Sequence, residues 1–416
     1  MLKQIVILCS MDSKGEEAYY LKKKIEDCGG KPLLMDIGIG QEPDLVPDIT
    51  AETVTNAADG DIHAIRKSKD TGAVIPVMIK GAGRIALDLL KKGELGGIVS
   101  FGGASNTATA TTIMKKLPFG IPKLMVSSSA SMPAYAASYI GTKDITMMHS
   151  VVDLSGLNDL TTSVFENAAG SITGMVKISK GAVKPASDKA LIAITSFKFS
   201  EKLSNNVKTL LEKKGYAVIP FHAQGMGDQA MEELLEQGIF DGVIDIVPAG
   251  VIEQILGGNR AAGEQRLEAA GRVGIPQVYT PCGFEMLSCG PLERKDQDDP
   301  LWKSLGLDKR KIFIPDAFRV QVRTNAEELK RVAAVVAEKL NRSRGPLKFI
   351  IPLQGWSSIS VEGASLYDPQ TDIVFNRSLR EHLRPDLEII EQDDAYDSPA
   401  LAEVLVDALE DMLPEE

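Results

Sequence analysis

Short apolar runs separated by helical patterns recur along most of this chain, and three local phrases occur twice in the same order. The first is Ile5-Val6-Ile7-Leu8, a polar turn, a helix through Lys24, Gly29-Gly30, then Pro32-Leu33-Leu34-Met35. Its echo is Leu191-Ile192-Ala193-Ile194, a helix through Lys214, Gly215, then Ala217-Val218-Ile219. Leu90-Lys91-Lys92-Gly93 before Gly97-Ile98-Val99 returns as Leu235-Glu236-Gln237-Gly238 before Gly242-Val243-Ile244. Gly120-Ile121-Pro122-Lys123-Leu124-Met125-Val126 returns as Gly274-Ile275-Pro276-Gln277-Val278-Tyr279. Strands with no polar face need cover on both sides, and alternating helices supply it, so the plan predicts βαβ units and parallel sheets. The repeated order predicts an α/β chain of two similarly wound domains with parallel sheets. A polar stretch around Gly181 and Pro185 sets the boundary. Residues 1–184 then form a nucleotide-binding domain, and residues 185–416 a cleft-closing or substrate domain.

A chain of 416 residues accommodates two or three domains of roughly 150 residues. No apolar run approaches the ~18 residues of a membrane helix, and Met1 to Ile5 lead straight into a strand. The expectation is a cytoplasmic protein with no signal peptide and no membrane partner. Net charge is −11, and the cationic triplets are Lys22 to Lys24 and Lys309 to Lys311, which argues against a nucleic-acid partner. Cys9, Cys28, Cys282 and Cys289 show no C-x-x-C spacing, and none of the four His is paired at ligand spacing. Reduced thiols and no built-in metal site are expected.

Parallel sheets bind ligands at the carboxyl ends of their strands, so residues just after each strand come first. Gly102-Gly103-Ala104-Ser105-Asn106-Thr107 reads as strand end, tight turn and helix start. A helix start offers unpaired N–H groups and partial positive charge, which suits a phosphate or carboxylate. The turn lacks the G-x-x-x-x-G-K-S/T and G-x-G-x-x-G spacings, so close packing of helix on sheet is the alternative reading. Asp12, Ser13 and Lys14 follow the first strand. Ser13 with Glu16 is a candidate capping box, while Lys14 opposes the helix dipole unless an anion lies between the two turns. Asp12 could hold a ribose hydroxyl or a magnesium ion. Ser127 to Ser129 end another strand, and the Gly141-Thr142-x-Asp144 turn reads either as a loop facing the same cleft or as a surface turn. In the second domain His222, directly after a strand, is the candidate general acid or base, with Glu285 and Arg323 as candidate partners.

The order of motifs is itself informative. Asp12-Ser13-Lys14-Gly15-Glu16-Glu17, Gly102-Gly103-x-x-x-Thr107, Gly120 to Ser127 and Gly141-Thr142-x-Asp144-Ile145-Thr146-Met147-Met148 follow one another. Ser150-Val151-Val152-Asp153, Gly156-Leu157-Asn158, Phe221-His222-Ala223-x-Gly225, Glu268-Ala269-Ala270-Gly271 and Pro352-Leu353-x-Gly355-Trp356 continue the series. Together they resemble an uncharacterised bacterial and plant family, typified by the ATP-binding N-terminal module of the tomato mosaic virus resistance protein. The resemblance covers essentially the whole chain. It implies two Rossmann-like, doubly wound domains, ATP binding in the first, and a homodimer or higher homo-oligomer; magnesium would accompany the nucleotide at Asp12. By position it assigns the nucleotide to Asp12, Ser13, Lys14, Gly102, Gly103, Ser105, Asn106, Thr107, Ser128, Ser129, Gly141, Thr142 and Asp144. The chain departs from the family at Ser105-Asn106, where a second glycine pair is common, and at His149, where Tyr is usual. Asp393-Asp394-Ala395 replaces a typical Asp-x-His. The alternative reading is a metabolic enzyme acting on a small carboxylated or phosphorylated metabolite in a cleft between the domains, with His222 and Glu285 as its catalytic residues.

Overall fold

The computed structural model describes residues 3–68, 70–182 and 189–414. The chain divides into two compact units, Met1–Val183 and Lys184–Glu416. The boundary expected after residue 184 lies outside the described residues.

In the first unit, β1 (Gln4–Cys9), β2 (Lys31–Asp36), β3 (Leu95–Gly102), β4 (Lys123–Ser127) and β5 (Thr146–His149) form a parallel sheet in the order β2-β1-β3-β4-β5. The helices are α1 (Met11–Asp27), α2 (Ala51–Asn56), α3 (Ile62–Lys67), α4 (Thr71–Lys91), α5 (Ala104–Met114), α6 (Pro133–Ile140) and α7 (Asp159–Ile178). Successive side chains of β1 point to opposite faces, which is why its whole run is apolar. Ile5, Ile7 and Cys9 join Leu21 of α1 and Phe165 and Ile172 of α7. Val6 and Leu8 join Val54 of α2, Met78 of α4 and Ile113 of α5.

The second unit repeats this winding. Strands β6 (Leu191–Ser196), β7 (Ala217–His222), β8 (Gly242–Asp245) and β9 (Gln277–Tyr279) come first. A three-stranded antiparallel sheet of β10 (Met286–Ser288), β11 (Ile312–Asp316) and β12 (Arg319–Arg323) interrupts the series before β13 (Leu347–Pro352) and β14 (Glu388–Gln392). The main sheet has the order β14-β13-β9-β8-β6-β7. Read from β7, this is the order of the first sheet extended by one strand, so the echo in the sequence is an echo in topology. The helices are α8 (Glu201–Lys213), α9 (Met226–Glu236), α10 (Gly250–Leu256), α11 (Ala269–Val273), α12 (Pro300–Leu305), α13 (Ala326–Leu340), α14 (Pro369–His382) and α15 (Pro399–Glu410). Helix α13 starts where its sequence predicts. The Asn325 side chain accepts from the Glu328 amide at 2.9 Å, and the Glu328 carboxylate accepts from the Asn325 amide at 3.0 Å. The chain from 286 to 323 is more ordered than its Pro- and Gly-containing sequence indicates, because Met286, Val320 and Val322 are buried in the core.

Candidate functional site

Strands β1 and β3 lie side by side, and the connections leaving them run to opposite ends of the first sheet. In a doubly wound sheet that reversal opens a crevice at the carboxyl ends. Both α1 and α5 begin there. The side chains of Thr50, Asp61, Asp70 and Asn158 cap α2, α3, α4 and α7, but no side chain caps α1 or α5. At α1 the Met11 amide is taken by Asp36 Oδ1 and the Ser13 amide by the Ser10 carbonyl, so it is chiefly at α5 that the first amides are left to solvent or a ligand.

The two glycines of the β3 turn have different jobs. Gly102 has φ +148°, and a Cβ there would lie 3.0 Å from Cβ of Asn106. Gly103 is extended, with φ −83° and ψ −168°, and the nearest neighbour to an added Cβ would be Ser128 Oγ at 3.8 Å. Gly102 shapes the turn, and Gly103 leaves open space over the helix start. Ser105 is exposed at that start.

The remaining polar groups of the turn are spent on the protein. Asn106 Nδ2 donates to the Phe101 carbonyl at 2.6 Å and to Ser100 Oγ at 3.2 Å. Thr107 Oγ1 donates to the Gly103 carbonyl at 2.8 Å and lies 2.7 Å from Ser127 Oγ. Ser129 is buried, its Oγ 3.0 Å from Ser127 Oγ and 3.3 Å from the Tyr139 hydroxyl. The Ser128 amide donates to the Gly102 carbonyl at 3.2 Å, leaving Ser128 half-buried beside the turn. The Gly102–Thr107 and Ser127–Ser129 segments therefore form one bonded platform.

The β1 turn borders it. Ser13 is not a cap: the chain is helical from Met11, so Ser13 lies inside the first turn and its Oγ donates to the Ser10 carbonyl at 3.4 Å. The expected capping box with Glu16 does not form. Lys14 interrupts α1 with φ −138° and ψ 26°, and its ammonium lies 3.8 Å from Glu17. Asp12 Oδ2 accepts the Gly40 amide at 2.9 Å. Asp36, at the end of β2, accepts the amides of Met11 and Gly38 through Oδ1, at 3.1 and 2.8 Å. Burial raises its carboxyl pKa, against those two bonds.

Gly141, Thr142 and Asp144 belong elsewhere. Asp144 pairs with Lys123 at 2.6 Å and accepts the Gly120 amide at 2.8 Å. Lys123 is the first residue of β4, so this turn sits at the amino end of the sheet, about 13 Å of strand from Ser127. Its carboxylate neutralises a lysine with 0% exposure, which also donates to the carbonyls of Pro118 and Ile121. The turn precedes β5 rather than following a strand, and so faces away from the crevice.

Nor does the second unit assemble the expected acid–base group. His222 is exposed at the end of the edge strand β7. Glu285 follows β9, three strands further in, about 14 Å across the sheet. It is fully buried, accepts from the Gly283 amide at 2.6 Å and Ser360 Oγ at 3.4 Å, and burial raises its pKa. Arg323 is engaged by Asp372 and the carbonyls of Leu366 and Asp368. Cys282 is buried, which pushes its thiol well up and away from the nucleophilic thiolate.

At the matching crevice of the second unit, between β6 and β8, the space is filled. Arg266 is buried against Asp245 at 2.6 Å, Glu232 at 3.0 Å and Asp228 at 3.2 Å. Thr195 Oγ1 donates to Asp245 at 2.7 Å and accepts the Val247 amide at 2.8 Å. No sequence pattern marks this cluster, because its members come from four separate segments. Among the described residues no group of three or more His, Cys, Asp or Glu could hold a metal ion, and no helix is long and apolar enough to cross a membrane.

Comparison with known proteins accounts for both units. Residues 3–181 match the N-terminal domain, and residues 189–413 the C-terminal domain, of an uncharacterised protein family (UPF0261). A UPF0261 protein of Clostridium tetani is 36% identical over 414 residues, covering 99% of this chain and 100% of that one. One from Rhizobium meliloti is 32% identical over 413 residues, 99% of each chain. The ToMV resistance protein Tm-1(GCR237) of Solanum lycopersicum is 32% identical over 312 residues, 74% of this chain and 40% of that protein. With both domains matched in order and a bacterial relative aligned end to end, the chain belongs to the UPF0261 family.

Proposed function

We propose that the first unit binds a nucleotide, ATP, with its phosphates at the joined carboxyl ends of β1 and β3. The observation that carries this reading is the pair of helix starts, α1 and α5, that meet at the sheet's crevice without side-chain caps. The unpaired amides of α5 and the dipoles of both helices favour the same anion. The residues suit the group: Gly103 leaves room for a phosphate against the backbone, Ser105 adds a hydroxyl, and Lys14, paired with Glu17 in the free protein, would supply a cation from the β1 turn. Asp12, whose Oδ2 accepts the Gly40 amide, would be the carboxylate to hold magnesium or a ribose hydroxyl. Bound ATP would bring a triphosphate whose charge these groups balance. The choice of ATP among anions, and of a homodimer or larger homo-oligomer as the working form, rests on the family resemblance in the motifs.

Thermal unfolding against ATP, ADP, AMP, NAD and inorganic phosphate, with and without magnesium, tests the proposal. A ligand that binds only the native state raises the melting temperature by mass action. A shift for ATP that Lys14→Met removes is the expected result. No shift with any nucleotide would overturn it.

A further inference from the structure

Next to this crevice, at the carboxyl end of β2, lies a second opening of about 180 Å³. Its lining holds two groups of opposite charge, Asp36 and Arg66, which attract one another through space without forming a hydrogen bond or ion pair. Asp36 is 2% exposed, and both of its backbone donors go to Oδ1. No described residue donates to Oδ2 among the hydrogen bonds of the first unit. Arg66 of α3 lines the same opening, and its Nε is buried without a hydrogen-bond partner. No described carboxylate lies within salt-bridge distance of its guanidinium. A buried N–H left unpaired costs about 1–3 kcal/mol, so the arrangement lacks an acceptor next to Arg66, while Asp36 Oδ2 is left open to a further donor.

The charge of the opening narrows what could supply both. Glu42 and Glu52 stand exposed on its rim beside His63. Three carboxylates against one guanidinium disfavour a phosphate or a dicarboxylate, and favour a ligand that carries its own positive charge. The walls are apolar at Pro47 and Ile62, which are buried. At ~30 Å³ per water molecule the space equals about six waters, the size of a small amino acid.

We propose that this opening binds a small α-amino acid, with its carboxylate on Arg66 and its ammonium on Asp36. Arg66 then makes the charge-assisted bonds that its planar fork is built for. The ammonium offsets the cost of burying the Asp36 carboxylate, which burial alone pushes toward its neutral form. The site adjoins the nucleotide reading at Asp36, which accepts the first amide of α1, while Arg66 and the other lining groups lie outside the β1–β3 crevice.

Isothermal titration of the full chain with L-serine, L-threonine and L-valine is the test. Lactate and isobutyrate serve as probes without the amine, and ethanolamine as the probe without the carboxylate. One of the amino acids is expected to bind, each single-charge probe at least about tenfold more weakly. Arg66→Met should weaken binding by at least about tenfold without lowering the melting temperature of the free protein. Asp36→Asn keeps the backbone acceptor and should also lose binding, whereas Lys14→Met should leave it unchanged. Absence of binding by all three amino acids at millimolar concentration overturns the proposal, as does binding that Arg66→Met leaves intact. Loss of ATP binding in Arg66→Met, with no amino-acid binding to the parent protein, would instead make the opening part of the nucleotide site.

Discussion

Asn106 Nδ2 stands 2.6 Å from the carbonyl oxygen of Phe101, so the third residue of α5 reaches back to the strand that leads into its own helix. Its second bond runs to Ser100 Oγ, which in turn donates to the Leu8 carbonyl of β1 at 2.8 Å. One amide thus ties the two strands of the crevice to the helix start between them. A residue that by sequence position is a ligand donor is, in the fold, the brace of the turn. Asn106→Ala should cost about 1–3 kcal/mol by leaving a buried acceptor short of a donor, measured as a lower urea midpoint.

The two glycines beside it separate shape from binding. Gly103→Ala meets open space and an allowed φ, so stability should hold while ATP affinity falls about tenfold, since the methyl group covers the helix start. Gly102→Ala is strained by φ +148° and should lower stability before any ligand is added. Paired melting curves and ATP titrations check both. Equal ATP affinity in Gly103→Ala would count against phosphate contact at this turn.

Asp144 is predicted to matter to stability alone. Removing it strands the Lys123 ammonium in the core, and breaking a buried pair costs about 3–5 kcal/mol. Desolvation already lowers the Lys123 pKa, so the unpaired lysine would tend to shed its proton. Asp144→Ala should therefore unfold the first unit at much lower urea concentration, and Asp144→Asn should recover part of the loss by still accepting a hydrogen bond.

Arg266 is the equivalent keystone of the second unit. It alone stands against Asp228, Glu232 and Asp245. Arg266→Met leaves buried carboxylates with no cation, so soluble yield should collapse at neutral pH and recover partly in mild acid, as the carboxyls take up protons. Arg266→Lys should not restore it, because an ammonium cannot reach three partners in a plane.

The second unit should also lose stability as pH rises. Burial pushes the Asp372 carboxyl up to about 7, overcoming the nearby Arg323 guanidinium. The unfolded value is about 3.9. Between those values the native state holds a proton that the unfolded chain has released, so unfolding free energy falls as pH climbs through this window. The slope reaches at most about 1.4 kcal/mol per pH unit for one group. Burial raises Glu285 and Glu253 in the same sense. Urea midpoints at about pH 5 and about pH 8 should differ in the parent, and differ less in Asp372→Asn.

Much of the fold is legible along the chain. Ile5 to Leu8 and Leu191 to Ile194 have no polar face, which only a covered parallel strand tolerates, and their repeated order becomes a repeated winding. Strands β10 and β12 are not legible along the chain, because three to five residues carry too little periodicity to stand out beside Pro291 and Gly306. In the site, the Asp12–Lys14 and Gly102–Thr107 turns were legible, because each directly follows a strand and that places it at a carboxyl end. For Gly141 to Asp144 the sequence leaves a cleft loop and a surface turn open, because composition does not say which end of a sheet a turn occupies, and its pairing with Lys123 puts it at the amino end.

Local patterns by themselves determined the α/β class, the two windings and the glycine turn, since each depends on neighbours in sequence: strand alternation, helix starts and chain reversals. Tertiary structure alone decided which polar groups remain free. Asn106, Thr107 and Asp144 were consumed by partners 5 to 24 residues away, and Arg266 gathered carboxylates 21 to 38 residues away. Arg66 kept a buried nitrogen unpaired. Nothing about an arginine on a short polar helix foretells that, because hydrogen-bond satisfaction belongs to the packed interior and not to the order of residues.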